Sequence, residues 1–132
     1  MSVLRHLVPK RIRAPFARYS HAVEVSAAAR WLFCSGQLGI SPNDQIPESA
    51  ENQAVRCFEA IGACLAEAGM SFADIVRINA YVTDRAHMAP YMAVRDRYVI
   101  LPPPASTLVI VAGFTRPEFK IEVEAIAAKA EN

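Results

Sequence analysis

Two carboxylates near the C-terminus, Glu122 and Glu124, lie two residues apart in the alternating segment Lys120 to Ala127, so they share one face of a strand. Carboxylates that close can raise one another's pKa, and the pair offers a base to orient water or an acid to deliver a proton. The plainer reading is a solvated strand face with an ion-paired neighbour. Near the other end, Arg18, Tyr19 and His21 sit together before a short apolar run. Arg18 reads either as an anion-binding cation or as the last charge of a basic arm. Tyr19 is a ring that packs and a hydroxyl that finds a partner, and His21 reads as a surface histidine beside a strand. Three cysteines, Cys34, Cys57 and Cys64, cannot all pair and form no CxxC motif. Cys57 and Cys64, seven apart in a helical pattern, read as small buried hydrophobes on one face. His6, His21 and His87 lack ligand spacing, so neither a metal nor a cofactor is expected.

The elements that must position these groups follow from periodicity. Ser20 to Val25 and Trp31 to Ser35 are short apolar or β-branched runs separated by small residues, which predicts a hairpin. Gly36 to Glu48 carries Gly39, Pro42, Asn43, Asp44 and Pro47 and reads as a loop. From Ser49 to Ala68 the residues Ala54, Val55, Phe58, Ile61, Leu65 and Ala68 recur at three- and four-residue steps, one stripe of a helix that Gly69 stops. Ile75 to Thr83 changes to period two, with Val76, Ile78, Ala80 and Val82 against Arg77, Asn79, Tyr81 and Thr83. Residues 87–100 return to helix, with Pro90 in the first turn and Met88, Tyr91, Val94 and Tyr98 on the buried side. Pro102, Pro103 and Pro104 end it. Ser106 to Val111 is apolar on both faces, which predicts a central strand.

The order is ββαβαββ, an α+β chain with one sheet and two helices on one face of it. The second face, bearing the carboxylates and the polar side of the 75–83 strand, has no cover within the chain, and an oligomer with a polar inter-subunit cleft is the expected solution.

Composition bounds what such a molecule does. At 132 residues and 53% apolar the chain is one domain, 1–132, able to bury a core. Its net charge of +1 demands neither a nucleic-acid nor a membrane partner, and the expected partner is a small molecule. Residues 1–17 are the exception: Arg5, Lys10, Arg11 and Arg13 precede the first acid, Glu24. This is either a transit peptide or a flexible basic arm, and Pro9 and Pro15, which interrupt a long amphipathic helix, favour the arm. No apolar run is long enough to span a bilayer and no secretory signal is evident, so a cytoplasmic location is expected.

Four segments then stand together: Arg18-Tyr19-Ser20-His21-Ala22-Val23, Phe33-Cys34-Ser35-Gly36-Gln37, Val82-Thr83-Asp84 and Ile121-Glu122-Val123-Glu124-Ala125-Ile126-Ala127. In order and in spacing they resemble the PYSQAV, FVSGQ, VTD and VEIEAIA segments of the Rid family, the reactive-intermediate deaminases. The resemblance implies a chorismate-mutase-like ββαβαββ fold and a homotrimer whose sheets form a central barrel with helices outside. It also implies clefts between subunits that hydrolyse 2-imino or 2-enamino acids to 2-oxo acids and ammonia. Residue by residue, Glu122 matches the glutamate that helps place the water, Tyr19 the tyrosine that closes the pocket, and Ser35 and Gly36 the pocket-lining serine and glycine.

The family's carboxylate-binding arginine does not carry over. In Pro103-Pro104-Ala105-Ser106-Thr107, Ser106 stands in its place, while Leu108 and Met92 replace a common cysteine and asparagine. A bidentate guanidinium–carboxylate pair contributes roughly 1.5 to 3 kcal/mol, and one hydroxyl does not replace it. Arg18, where the family usually has proline, is the candidate substitute. Two functions follow: a Rid-type hydrolase of a small imine or enamine with a non-standard substrate, or a trimer that binds a small metabolite without turning it over. Ribonuclease activity ranks third, because no stacking aromatics interleave with the basic residues.

Overall fold

The structure, a computed structural model, describes residues 2–131. Six strands and two α-helices follow one another as β1 (Leu4–Leu7), β2 (Ala22–Val25), β3 (Ala29–Leu38), α1 (Ala50–Glu67), β4 (Ile75–Val82), α2 (Met88–Tyr98), β5 (Ala105–Ile110) and β6 (Ile121–Ala130). A four-stranded sheet has the order β3-β6-β4-β5, and β1 with β2 forms a separate antiparallel ribbon. β4 and β5 are parallel and joined through α2, while β6 runs antiparallel to both its neighbours.

The mixed α+β architecture and the order of elements from β3 onward agree with the sequence reading; β3 runs on through Gly36, Gln37 and Leu38, which the turn-forming composition assigned to a loop, and three further details differ. The basic arm is not wholly irregular: Leu4–Leu7 pairs with Ala22–Val25 in a register that sets Arg5 opposite Glu24. Charge and prolines dominated the reading of that segment and hid a four-residue strand. The expected hairpin of residues 20–25 with 31–35 is absent, since β2 takes the equally short β1 as partner and β3 lies along β6, another ten-residue strand. β5 is an edge strand rather than a central one. Leu108 packs against the core, but Val109 and Ile110 remain exposed. Its two-sided apolarity therefore exceeds what this chain covers.

Both helices sit on one face of the sheet. Ser49 caps α1 by accepting from the Asn52 amide at 3.1 Å, and Gly69 adopts φ +70° just beyond its end, the left-handed stop that a residue without Cβ takes at no steric cost. α1 buries Ala54, Cys57, Phe58, Ile61 and Leu65. α2 follows a short 3-10 turn, Arg85–His87, which Asp84 caps, and buries Tyr91 and Val94. Between helices and sheet Phe58 stacks on Tyr98 at 5.1 Å and on Tyr91 at 6.0 Å. Beneath them lie Ile78, Ala80 and Val82 of β4 and Ile121, Val123 and Ala125 of β6, all buried.

The buried amide of Gln53 was not foreseen from its sequence position. It donates to the Pro47 and Glu118 carbonyls at 2.9 Å each and accepts from the Lys120 amide at 2.8 Å, tying α1 to the start of β6. Gly39 makes room for it, since a Cβ at Gly39 would lie 2.5 Å from that of Gln53. Among the described residues, no helix is long and apolar enough to cross a membrane.

Candidate functional site

Alternation sends the other half of each strand to the face that the helices leave open. β6 lies centrally and presents Glu122, Glu124 and Ile126 there, each half-buried. Register sets Glu122 opposite Tyr81 of β4 and Leu38 of β3, and Glu124 opposite Asn79. The pairing of β3 shifts between Cys34 and Gln37 and brings the backbone of Gly36 against the Glu122 carboxylate. A Cβ at Gly36 would stand 2.6 Å from Glu122 Oε2, so this contact exists because position 36 has no side chain. The matched pair Gly36 and Glu122 thus forms one physical unit, a carboxylate held along the edge of a bulged strand.

Glu124 is engaged differently. Its Oε1 accepts from the Tyr81 hydroxyl at 2.5 Å and from Asn79 Nδ2 at 3.3 Å. The hydrogen bond to Glu124 raises the Tyr81 pKa, so the phenol keeps its proton. Ser35 joins Phe33, Asn79, Glu124 and Ile126 around a shallow pocket of about 240 Å³ on this face. Phe33, with Trp31 stacked on it at 6.2 Å, forms an exposed aromatic rim. At the β5 side Arg77 Nη2 donates to Thr107 Oγ1 at 2.6 Å.

Arg18, Tyr19 and Ser106 lie elsewhere. Ser20 runs beside the start of β5: its amide donates to the Pro104 carbonyl at 2.9 Å, and its hydroxyl to that of Pro103 at 2.5 Å. Tyr19 is thereby fixed near that strand, its hydroxyl accepting from the Phe16 amide at 3.2 Å and its ring meeting His21 edge-on. Arg18 is exposed and reaches the Asp96 carbonyl at the end of α2, 3.3 Å away. Ser106 pairs with buried Ile78 and so belongs to the helix-side face, opposite to Glu122. It is also three residues along β4 from the Tyr81 row, about 10 Å at strand spacing.

The candidate residues therefore fall into two separate groups within one chain. Gly36 and Glu122, with Ser35 nearby, belong to the open face, while Arg18 and Tyr19 gather beside the β5 strand that begins with Ala105 and Ser106. Tyr81, Asn79, Arg77 and Thr107 join the first group without having been singled out in the sequence. Their only signal was the polar side of an alternating strand. Two of the cysteines are poor nucleophiles: burial pushes the Cys57 thiol up to about 12 and Cys34 up to about 11. Among the described residues no group of three or more His, Cys, Asp or Glu is placed to hold a metal ion.

Residues 10–129 match the family model described as Endoribonuclease L-PSP. Protein DfrA of Myxococcus xanthus is 35% identical over 111 residues, 83% of each chain. A protein of Escherichia coli named putative reactive intermediate deaminase TdcF is 29% identical over 103 residues, 75% of this chain and 79% of its own length. The crystal structure of YyfB from Yersinia pestis, described as a conserved Rid family protein of unknown function, superimposes with a TM-score of 0.82 at 27% identity, covering 95% of this chain and 98% of the other.

Proposed function

The chain belongs to the endoribonuclease L-PSP family, the Rid family of the sequence resemblance, and from that premise we propose that it is a Rid-type hydrolase of a small imine or enamine. The observation that carries this reading is the seating of the Glu122 carboxylate against Gly36 on a sheet face that no helix covers. A carboxylate lying against bare backbone on an open face can orient a water for attack on a C=N carbon. Water adds to that carbon as Glu122 accepts one of its protons. That proton is passed to nitrogen, the new hydroxyl gives its own proton to nitrogen as the C–N bond breaks, and a carbonyl compound and ammonia leave. A relative named as a putative reactive intermediate deaminase supports the same chemistry.

The working unit is a homotrimer with its sites between subunits. Two features support this. Three of the candidate residues, Arg18, Tyr19 and Ser106, lie away from Ser35, Gly36 and Glu122, so a neighbouring copy is the natural source of the complement. In addition Trp31, Phe33, Val109 and Ile110 are exposed apolar residues, with Phe33 at 70% exposure, on the open face and the β5 edge. Assembly would shelter both.

The absence of a guanidinium at position 106 favours a second reading, a trimer that binds a small metabolite without turnover. A coupled assay distinguishes them. Imines are generated by an amino-acid oxidase, and ammonia release is followed with the wild type and with Glu122→Gln. The hydrolase reading expects acceleration by the wild type and at least a tenfold loss in the folded variant, about 1.4 kcal/mol of transition-state stabilisation. A folded wild type that accelerates nothing leaves the binding role. Ribonuclease activity, which the family's name suggests, ranks last at a net charge of +1.

A further inference from the structure

A charge that is partly withdrawn from water and has no opposite charge beside it is the informative one on a protein surface. Among the arginines of this chain only Arg77 and Arg95 are not exposed. Arg95 has a carboxylate beside it, Asp96 at 3.1 Å. Arg77 has none within ion-pair distance among the described residues. Its one hydrogen bond goes to a neutral acceptor, Thr107 Oγ1, which leaves the remaining N–H groups of the fork unassigned.

The acid that stands next along the open face does not serve it. Glu124 lies one strand over and one row along, and its Oε1 is taken by the Tyr81 hydroxyl and the Asn79 amide. Around Arg77 the paired positions are Ala105 and Ile126, both uncharged. The bond to Thr107 draws the guanidinium toward the Asn79–Thr107 row. The row of Tyr81 and Glu122 is two residues further, about 7 Å along the strands. A half-buried guanidinium, oriented by a hydroxyl on the face that also carries Asn79 and Tyr81, is a receptor for a planar oxyanion.

We propose that Arg77, steadied by Thr107, binds the carboxylate of a small organic acid on the open sheet face, with the rest of the ligand extending toward Tyr81 and Glu122. This deepens the hydrolase reading and rests on it only for the identity of the acid, a 2-imino acid or its 2-oxo product. The cation that Ser106 does not supply from β5 is delivered from the adjacent strand β4.

Calorimetric titration of the assembled protein with pyruvate, and with pyruvamide as the uncharged counterpart, tests the site without turnover. Wild type is expected to bind pyruvate more tightly than pyruvamide. Arg77→Ala is expected to weaken pyruvate at least tenfold, Arg77→Lys to recover part of that, and neither to change pyruvamide. Circular dichroism and light scattering on each variant confirm fold and mass. Equal pyruvate affinity in wild type and Arg77→Ala overturns the proposal, as does a wild type with no preference for the anion. So does an Arg77→Ala protein whose mass falls while its pyruvate affinity holds, because Arg77 then serves a second copy's carboxylate. A wild type that binds pyruvate through Arg77 yet hydrolyses no imine sinks the hydrolase and leaves this site standing.

Discussion

The two faces of one sheet divide the work of this molecule. On the helix side Ile78, Ala80, Val82, Ile121, Val123 and Ala125 are all within a few per cent of complete burial. On the open side the intervening residues of the same two strands, Arg77, Asn79, Tyr81, Glu122 and Glu124, are half-buried and polar. Stability is concentrated where side chains exclude water, and chemistry where carboxylates, a phenol and a guanidinium keep company near solvent. Substitutions on the two faces are therefore expected to separate: one set lowers stability, the other removes function from a folded protein.

The largest effect is expected at Phe58, fully buried and stacked on Tyr91 and Tyr98. Phe58→Ala should lower unfolding free energy by about 3 to 5 kcal/mol in a denaturant titration, against less than about 1 kcal/mol for Glu122→Gln on the other face. Two glycines of the same chain stretch sharpen the contrast. Gly39→Ala meets the backbone and Cβ of Gln53 and should destabilise by about 1 to 3 kcal/mol. Gly36→Ala meets only the movable end of Glu122, so stability should change by less than about 1 kcal/mol while imine hydrolysis drops at least tenfold as the carboxylate is pushed aside.

Alkali should find the helix side first. The folded pKa of Cys57 is raised to about 12, from an ordinary value of 9.0, chiefly by burial. The thiol stays protonated in the folded chain while it ionises in the unfolded one, so its contribution is intact below pH 9 and is lost as pH rises from there toward 12. Melting temperature should fall across that window, and more shallowly in Cys57→Ala. The smallest effect concerns the Tyr91 hydroxyl, buried without a hydrogen-bond partner among the described residues. Tyr91→Phe removes an unsatisfied group and should be neutral or stabilising by up to about 1 kcal/mol in the same titration.

Much of this division was legible in the sequence. The period-two pattern assigned residues 77–82 of β4 and 121–127 of β6 to their observed faces but not Ile75, which a register shift turns into the core, and the stripe from Ala54 to Leu65 with Gly69 beyond it located α1. β5 was misplaced because apolarity on both faces is the signature of a central strand and equally of an edge that awaits a partner. β1 escaped because four residues are too few for a periodic signal among basic residues and prolines. At the site, Glu122 and Gly36 were legible as members of motifs, but their contact was not, since it depends on a register shift in β3. Arg77 was legible only as polar. What distinguishes it is that no carboxylate among the described residues lies within ion-pair distance, which emerges only once the strands are paired.

Subunit mixing tests most directly whether two copies build one site. Tyr19→Ala and Glu122→Gln each disable one half, and the two variants are prepared singly and then unfolded and refolded together. With sites shared between neighbours, a random mixture regains activity, because about one site in four receives Tyr19 from one subunit and Glu122 from the next. Recovery toward that fraction of wild-type imine hydrolysis is the expected result. A mixture as inactive as its two components, with wild type refolding to full activity in parallel, would contradict the shared site.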